Sequence, residues 1–413
     1  MEGLLKGLMD VVLGNQDDNN SSPQSEQRLP RSTWAQVVSG EDHEEQSRPT
    51  FEHPTWNRKE EGQGSNDGSE IFGRRPQRQT SHTAEDTGSN DICETIGGQS
   101  HRRKPDRVYY GGHRTSYTIP PSEQEYSEEV YHSSMVEPSK EELEDLAKAC
   151  DKLWKLDSNR LIPGKDYEID CGEGKKSYQK QDMAQGCLFS WLSEDIFRRP
   201  TYSRFCSLLD NYNPNEGCKE VVTQQERQEQ AAFVEEISRT APIKYLYKYL
   251  VSKRIISDGY DEFKEMMRRL WFDLYDRGGT SGSSSAFEHV FVGEIKQRGE
   301  QEVSGFHNWI QFYVEEAKGK VDYQGFIFPR RHVQIPDSET QLLTIQFEWN
   351  GVLKTVSSSL VGVSPEFEIA LYTICYFAGE EDNYVQLGPY PVNIKCYRCR
   401  GDNIGSVFPV AQS

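Results

Sequence analysis

The sequence predicts an α+β chain, helical in its first ordered part, rich in mixed antiparallel strands in its second, and preceded by a long segment that cannot fold alone. Three observations carry this. Apolar residues recur at helical spacing between 139 and 276. Asn350-Gly351 sits between two alternating runs, the signature of a tight hairpin. After Arg277 the periodicity changes, and helices first with strands afterwards defines the class.

The chain has 413 residues, 35% hydrophobic, and a mean hydropathy of −0.79. Such values point to a disordered leader diluting an ordinary domain. Residues 1–14 read as an amphipathic helix with Leu4, Leu5, Leu8, Met9, Val12 and Leu13 on one face; its polar face is not basic, so docking on a partner or on the domain is expected rather than membrane binding. Residues 15–137 are Ser-, Gln-, Asn-, Asp-, Glu- and Gly-rich and cannot bury enough apolar surface to offset chain entropy. Within them the island 32–38 around Trp34 is either a partner-binding motif or an incidental apolar spot, and Arg102-Arg103-Lys104 reads as a solvated charge run that could also touch RNA.

The domain is expected to span 138–413. Ser139 with Glu142 forms a capping box, followed by Leu143, Leu146, Ala147, Cys150, Leu153 and Trp154 along one helix. Further helices are expected near 225–238, 241–254 and 260–276, giving a mainly helical part over 138–277. In the β-rich part over 278–413, a Gly/Ser-rich loop leads into a strand at His289. A helix near 306–318, the hairpin, a helix capped by Ser364 with Pro365 at its first position, and C-terminal strands follow.

The net charge is −19, shared almost evenly between leader and domain, so bulk electrostatics will not hold nucleic acid and any RNA contact must be local and salt-sensitive. Nine cysteines without framework spacing argue against a disulfide scaffold, and Cys396-x-x-Cys399 lacks a second pair for structural zinc. The absence of a span of about 20 apolar residues and of a signal peptide leads to an expected location in the cytoplasm or nucleus.

Six of the nine histidines fall in the leader, leaving His289, His307 and His332. Each of the first two, considered singly, reads more often as a satisfied structural histidine than as a catalytic one. The hairpin sharpens the case. A two-residue turn at Asn350-Gly351 pairs Trp349 with Val352, Phe347 with Lys354 and Ile345 with Val356, which sets Lys354 on the apolar face. A lysine there is either an edge residue reaching for water or a functional break in the pattern. Two imidazoles and an ammonium are the set that cleaves RNA through its own 2′-hydroxyl: one base, one acid, and one cation for the phosphorane.

The stretches FEHVFVGE (287–294), GFHNWIQFYVEE (305–316), FEWNGVLKTV (347–356) and GVSPEFEIALYTICYFA (362–378) resemble the EndoU (XendoU) family of uridylate-specific endoribonucleases. The resemblance covers roughly 138–413, and the leader is similar to that of plant-type members. It implies catalytic residues His289, His307 and Lys354, with His307 as base and His289 as acid by analogy with nidoviral relatives. It also implies supporting roles for Glu288 and Glu294 and a uracil pocket at Ser406 and Phe408, where relatives carry Thr or Ser and then Tyr. In an ideal strand the two glutamates point away from His289, so they are expected to orient it from outside, to sit near a metal, or to lie on a bulged strand. The expected product is a 2′,3′-cyclic phosphate from single-stranded uridine-containing RNA, with Mn²⁺ or Ca²⁺ as an implied divalent cation of unknown ligands. A catalytically silent RNA-binding member, or a protein-interaction role through 1–14 or 32–38, is the alternative. Arg330 and Arg331, beside His332, are candidate phosphate contacts or a solvated loop.

Overall fold

The computed structural model describes residues 125–129, 136–297, 299–328, 336–399 and 403–412. The expected helix at 1–14, the island at 32–38, Arg102–Lys104 and Arg330, Arg331 and His332 lie outside them.

The architecture is α+β as expected. The Ser139 capping box is present, but the first helix breaks into α1 (Lys140–Glu144) and α2 (Leu146–Leu156). The break is chemical: the Asp145 carboxylate accepts from Ala147 N–H at 2.9 Å and starts a second N-terminus in mid-pattern. Strands β1 (Tyr167–Ile169), β2 (Gly174–Lys175) and β3 (Phe189–Leu192) follow, which the expectation of a mainly helical part had missed. Then come α3 (Pro200–Cys206), α4 (Gln224–Ser238), α5 (Ala241–Ser252) and α6 (Tyr260–Phe272). The last is shorter than expected because β4 (Tyr275–Arg277) begins a hairpin with β5 (Thr280–Ser284). The expected Gly/Ser loop is therefore partly strand, turned at Gly278 and Gly279, both at positive φ.

The second part holds β6 (Glu294–Lys296), β7 (Glu302–Ser304), α7 (Trp309–Ala317), β8 (Val321–Ile327), β9 (Leu342–Trp349) and β10 (Val352–Leu360). Helix α8 (Pro365–Ala378) and strands β11 (Asp382–Leu387), β12 (Tyr390–Cys399) and β13 (Asn403–Ala411) complete it. Strands order as β10-β9-β8-β2, with β2 parallel to β8, and as β11-β12-β13; β6 and β7 form a two-stranded sheet. Ser364 caps α8 as expected, its Oγ accepting from Phe367 N–H at 3.2 Å. Among the described residues no helix is long and apolar enough to cross a membrane.

A cluster of rings joins the two parts. Phe205, Phe233, Phe272 and Trp271 of the helices pack on Phe287 and Phe291, with centroids 5.1 to 6.3 Å apart. These two phenylalanines bracket His289, so the segment carrying that histidine is seated in the core of the helical part.

Residues ahead of the expected boundary at 138 also pack on the domain. The Tyr126 ring lies 4.2 Å from the Arg204 guanidinium carbon and 4.8 Å from that of Arg239. Ser127 N–H donates to the buried Glu236 carboxylate, and Lys244 pairs with Glu129 at 2.7 Å. A chain starting at 138 should therefore be less stable than one starting at 125 by about 1 to 2 kcal/mol. Urea titration of the two would show this, and coincident midpoints would contradict it.

Candidate active site

His289 does not lie on a strand. Residues Glu288–Val292 form a π-helical turn. Ser285 starts it: its Oγ accepts from Glu288 N–H at 3.1 Å and its carbonyl from His289 N–H at 3.1 Å. Gly293 ends it at φ 94°, donating to Glu288 O at 2.8 Å. The alternation of FEHVFV suggested a strand, but a Ser ahead of the run and a Gly after it were the readable signs of a capped turn.

The turn lets Glu294, at the start of β6, come back to the histidine. His289 Nδ1 and Glu294 Oε2 are 2.6 Å apart, with side chains 2% and 0% exposed. The contact directs the imidazole and leaves Nε2, buried and without a hydrogen-bond partner, as the working nitrogen. Burial, then Arg277, Lys354 and Lys296, hold His289 well below the usual imidazole range. Burial also raises Glu294 to about 7, against the pull of Arg277. Glu288 behaves differently. It makes no hydrogen bond to His289, and burial beside Glu294 and Glu220 pushes it up to about 10, so it is a neutral acid. The shared orienting role expected of the two glutamates thus falls to Glu294 in this geometry.

His307 ends the loop between β7 and α7. Phe306 N–H donates to His289 O at 3.2 Å and His307 N–H to Val290 O at 2.9 Å, so the two histidine segments are bonded backbone to backbone. This approach requires glycine: a Cβ at Gly305 would stand 1.7 Å from His289 O, at φ 64°. The His307 ring stacks on Phe408 with centroids 4.5 Å apart and planes 12° apart. Its Nδ1 lies 3.3 Å from Ser357 Oγ. Asn308 follows as the cap of α7 and donates to the buried Glu368 at 2.6 Å, anchoring the segment from behind. Burial and then the Lys354 charge depress the His307 pKa well below the ordinary value.

Lys354 lies where the hairpin reading set it. Val352 pairs with Trp349 and Lys354 with Phe347, around Asn350 and Gly351 at positive φ. The third expected pair is corrected. Ile345 faces Ser357 rather than Val356, because a bulge between Lys354 and Ser357 adds one residue to β10. The bulge brings Ser357 to His307. Lys354, 3% exposed, donates from Nζ to Val303 O at 3.1 Å. Burial lowers its ammonium to about 7, only partly offset by Glu302.

On β13, Ser406 is 2% exposed and its Oγ has no hydrogen-bond partner. Phe408 is fully buried, with His307 against it and Tyr397 stacked beside it at 6.3 Å. In this closed site the ring expected to stack on uracil packs against an imidazole. Arg277, not anticipated from sequence, bridges the halves of the site: its Nε is 3.3 Å from Glu294 Oε2 and an Nη donates to Gly405 O at 2.6 Å, next to Ser406. No motif flags it; only its place in the β4–β5 turn, far from its partners in sequence, makes it useful.

The divalent cation implied by resemblance finds no cradle here. Among the described residues no group of three or more His, Cys, Asp or Glu side chains is placed to hold a metal, and Glu294 Oε2 is engaged by His289 and Arg277. Cys396 is buried, its thiol raised to about 12, and Cys399 lies beside Asn403 O.

The fold and this trio of two imidazoles and one ammonium define a class: a layout for proton transfer around a phosphodiester. The family model described as Endoribonuclease XendoU matches residues 145–409, and the chain belongs to that family. It is 40% identical over 272 residues to Uridylate-specific endoribonuclease B of Danio rerio, covering 64% of this chain and 95% of that protein. It is 41% identical over 280 residues to Poly(U)-specific endoribonuclease-A of Xenopus laevis, covering 65% and 94%. The solved structure titled "The structure of XendoU: a splicing independent snoRNA processing endoribonuclease" aligns with a TM-score of 0.57 and 40% identity over 65% of this chain and 97% of that one.

Proposed function

We propose that this chain cuts single-stranded RNA at uridylates by transesterification, leaving a 2′,3′-cyclic phosphate. The observation that carries the reading is the convergence of His289, His307 and Lys354, whose charges bear on one another within one buried site. His307, with a hydroxyl rather than a carboxylate at Nδ1, is the neutral base that takes the 2′-OH proton. His289, oriented by Glu294 at Nδ1, is the acid that protonates the leaving 5′-oxygen; burial disfavours its charged form in the closed site, so it takes up its proton as the negative charge of the phosphodiester enters. The Lys354 ammonium stabilises the charge that grows on the phosphorane. Because these groups are 2 to 3% exposed, the phosphodiester must open the closed site to reach them.

Base choice is assigned to Ser406, whose buried hydroxyl is unsatisfied and can donate to or accept from a uracil edge. Phe408 acts indirectly, by holding His307 flat. The test is a pair of labelled oligonucleotides, each with one uridine or one cytidine in an adenosine background. Ser406→Ala should reduce the uridine preference about tenfold, since a buried base group left unpaired costs about 1–3 kcal/mol, while cutting the cytidine oligonucleotide at an unchanged rate. An unaltered preference would move the pocket off Ser406.

A further inference from the structure

One loop shares the polar framework of the site without serving the chemistry above. Lys175, at the end of β2, is 1% exposed. Its Nζ donates to Gln181 O at 2.7 Å, closing residues 175–181 into a loop, and to Gln346 Oε1 on β9 at 2.6 Å. Gln346 Nε2 in turn donates to Thr355 O, in the bulge beside Lys354. Inside the loop Lys176 N–H donates to Gln179 Oε1 at 2.8 Å and Gln179 N–H to Lys176 O at 3.0 Å. The base of the loop is therefore fixed to the catalytic hairpin, while its crest faces water.

That crest carries Lys176, Tyr178 and Lys180, all exposed. Tyr178 is 72% exposed, with the Lys176 ammonium 5.9 Å from its ring centre. Lys180 reaches Glu300 at 4.0 Å, in the turn of the β6–β7 hairpin that also supplies the Val303 carbonyl to Lys354. An open ring between two cations, in a protein of net charge −19, is the combination that binds single-stranded nucleic acid: bases stack on the ring and phosphates meet the ammonium groups. A rigid base lowers the entropy lost on contact.

We propose that residues 176–180 form a second contact for single-stranded RNA, with Tyr178 stacking on a base outside the cut uridine and Lys176 and Lys180 meeting flanking phosphates. The proposal rests on the reading of the chain as an RNA-cutting enzyme, but it can be measured by binding alone. The full chain is titrated, by fluorescence anisotropy, with a labelled RNA dodecamer carrying one deoxyuridine as its only pyrimidine, and with a tetranucleotide of the same centre. Tyr178→Ala should weaken dodecamer binding about tenfold and leave the tetranucleotide unaffected, and Tyr178→Phe should restore it. Lys176→Gln with Lys180→Gln should flatten the dependence of log Kd on log salt by about 1.4, the value for two single-strand phosphate contacts. Unchanged dodecamer binding, or an equal loss on both ligands, would overturn the proposal. Cleavage of an all-ribose dodecamer by the unaltered chain is scored in parallel, so a failure of the functional reading shows there and not in the binding ratio.

Discussion

His289→Ala and His307→Ala should each lower kcat by about 10²–10⁴-fold, the typical worth of a positioned acid or base, with little change in KM. The arrangement explains why neither loss can be compensated. Each imidazole is held by its own support, Glu294 for one and Phe408 with Ser357 for the other, and the described site offers no third imidazole. The double variant should be barely slower than the worse single one, because acid and base act in one transition state and their effects do not add. Single-turnover cleavage of a uridine oligonucleotide measures this, with thermal unfolding to show that the variants are folded. Losses that multiply would mean that the two histidines contribute independently and not as a unit.

Lys354→Ala should cost about 10²–10³-fold, the order seen when one preorganised stabiliser of transition-state charge is removed. Lys354→Arg should recover little, since a planar fork cannot occupy the place of a compact ammonium set against Val303 O. Its pH dependence follows from burial. The ammonium is the needed form and its pKa is lowered to about 7, and the acid His289 is needed protonated but is held lower still, so kcat/KM should already be falling as pH reaches 7 and should steepen there. The imidazole that acts as base is needed neutral and is held well below its usual range, so the acid limb should lie well below pH 6.5. Arginine does not titrate there, so Lys354→Arg should remove the steepening near pH 7 and leave the shallower fall due to His289, at its reduced rate. A steepening unchanged by Lys354→Arg would assign that ionisation elsewhere.

Much of the site could be read in advance where local chemistry decides geometry. Asn350-Gly351 sets a two-residue turn, and the turn alone places Lys354 opposite Phe347. The Ser364 cap is equally local. What escaped depends on contacts distant in sequence. The bulge after Lys354 is held partly by Gln346, itself held by Lys175 from 171 residues away. Arg277 meets Gly405 across 128 residues. The turn at Glu288–Val292 was misread because Phe287, Val290, Phe291 and Val292 are all buried, and a short run buried on every side has no period by which to tell strand from helix. The contact of Phe408 was not legible for a related reason: a sequence shows an aromatic beside a site but not which partner covers its face.

The central claim is that the 2′-hydroxyl of the RNA is the nucleophile and that protein side chains do no more than move protons and stabilise charge. Mass spectrometry of the 5′ fragment, from a uridine oligonucleotide and from its deoxyuridine counterpart, tests this most directly. The account predicts a 2′,3′-cyclic phosphate on the first fragment and an uncut deoxyuridine strand. A 3′-hydroxyl end, or cutting at deoxyuridine, would contradict it.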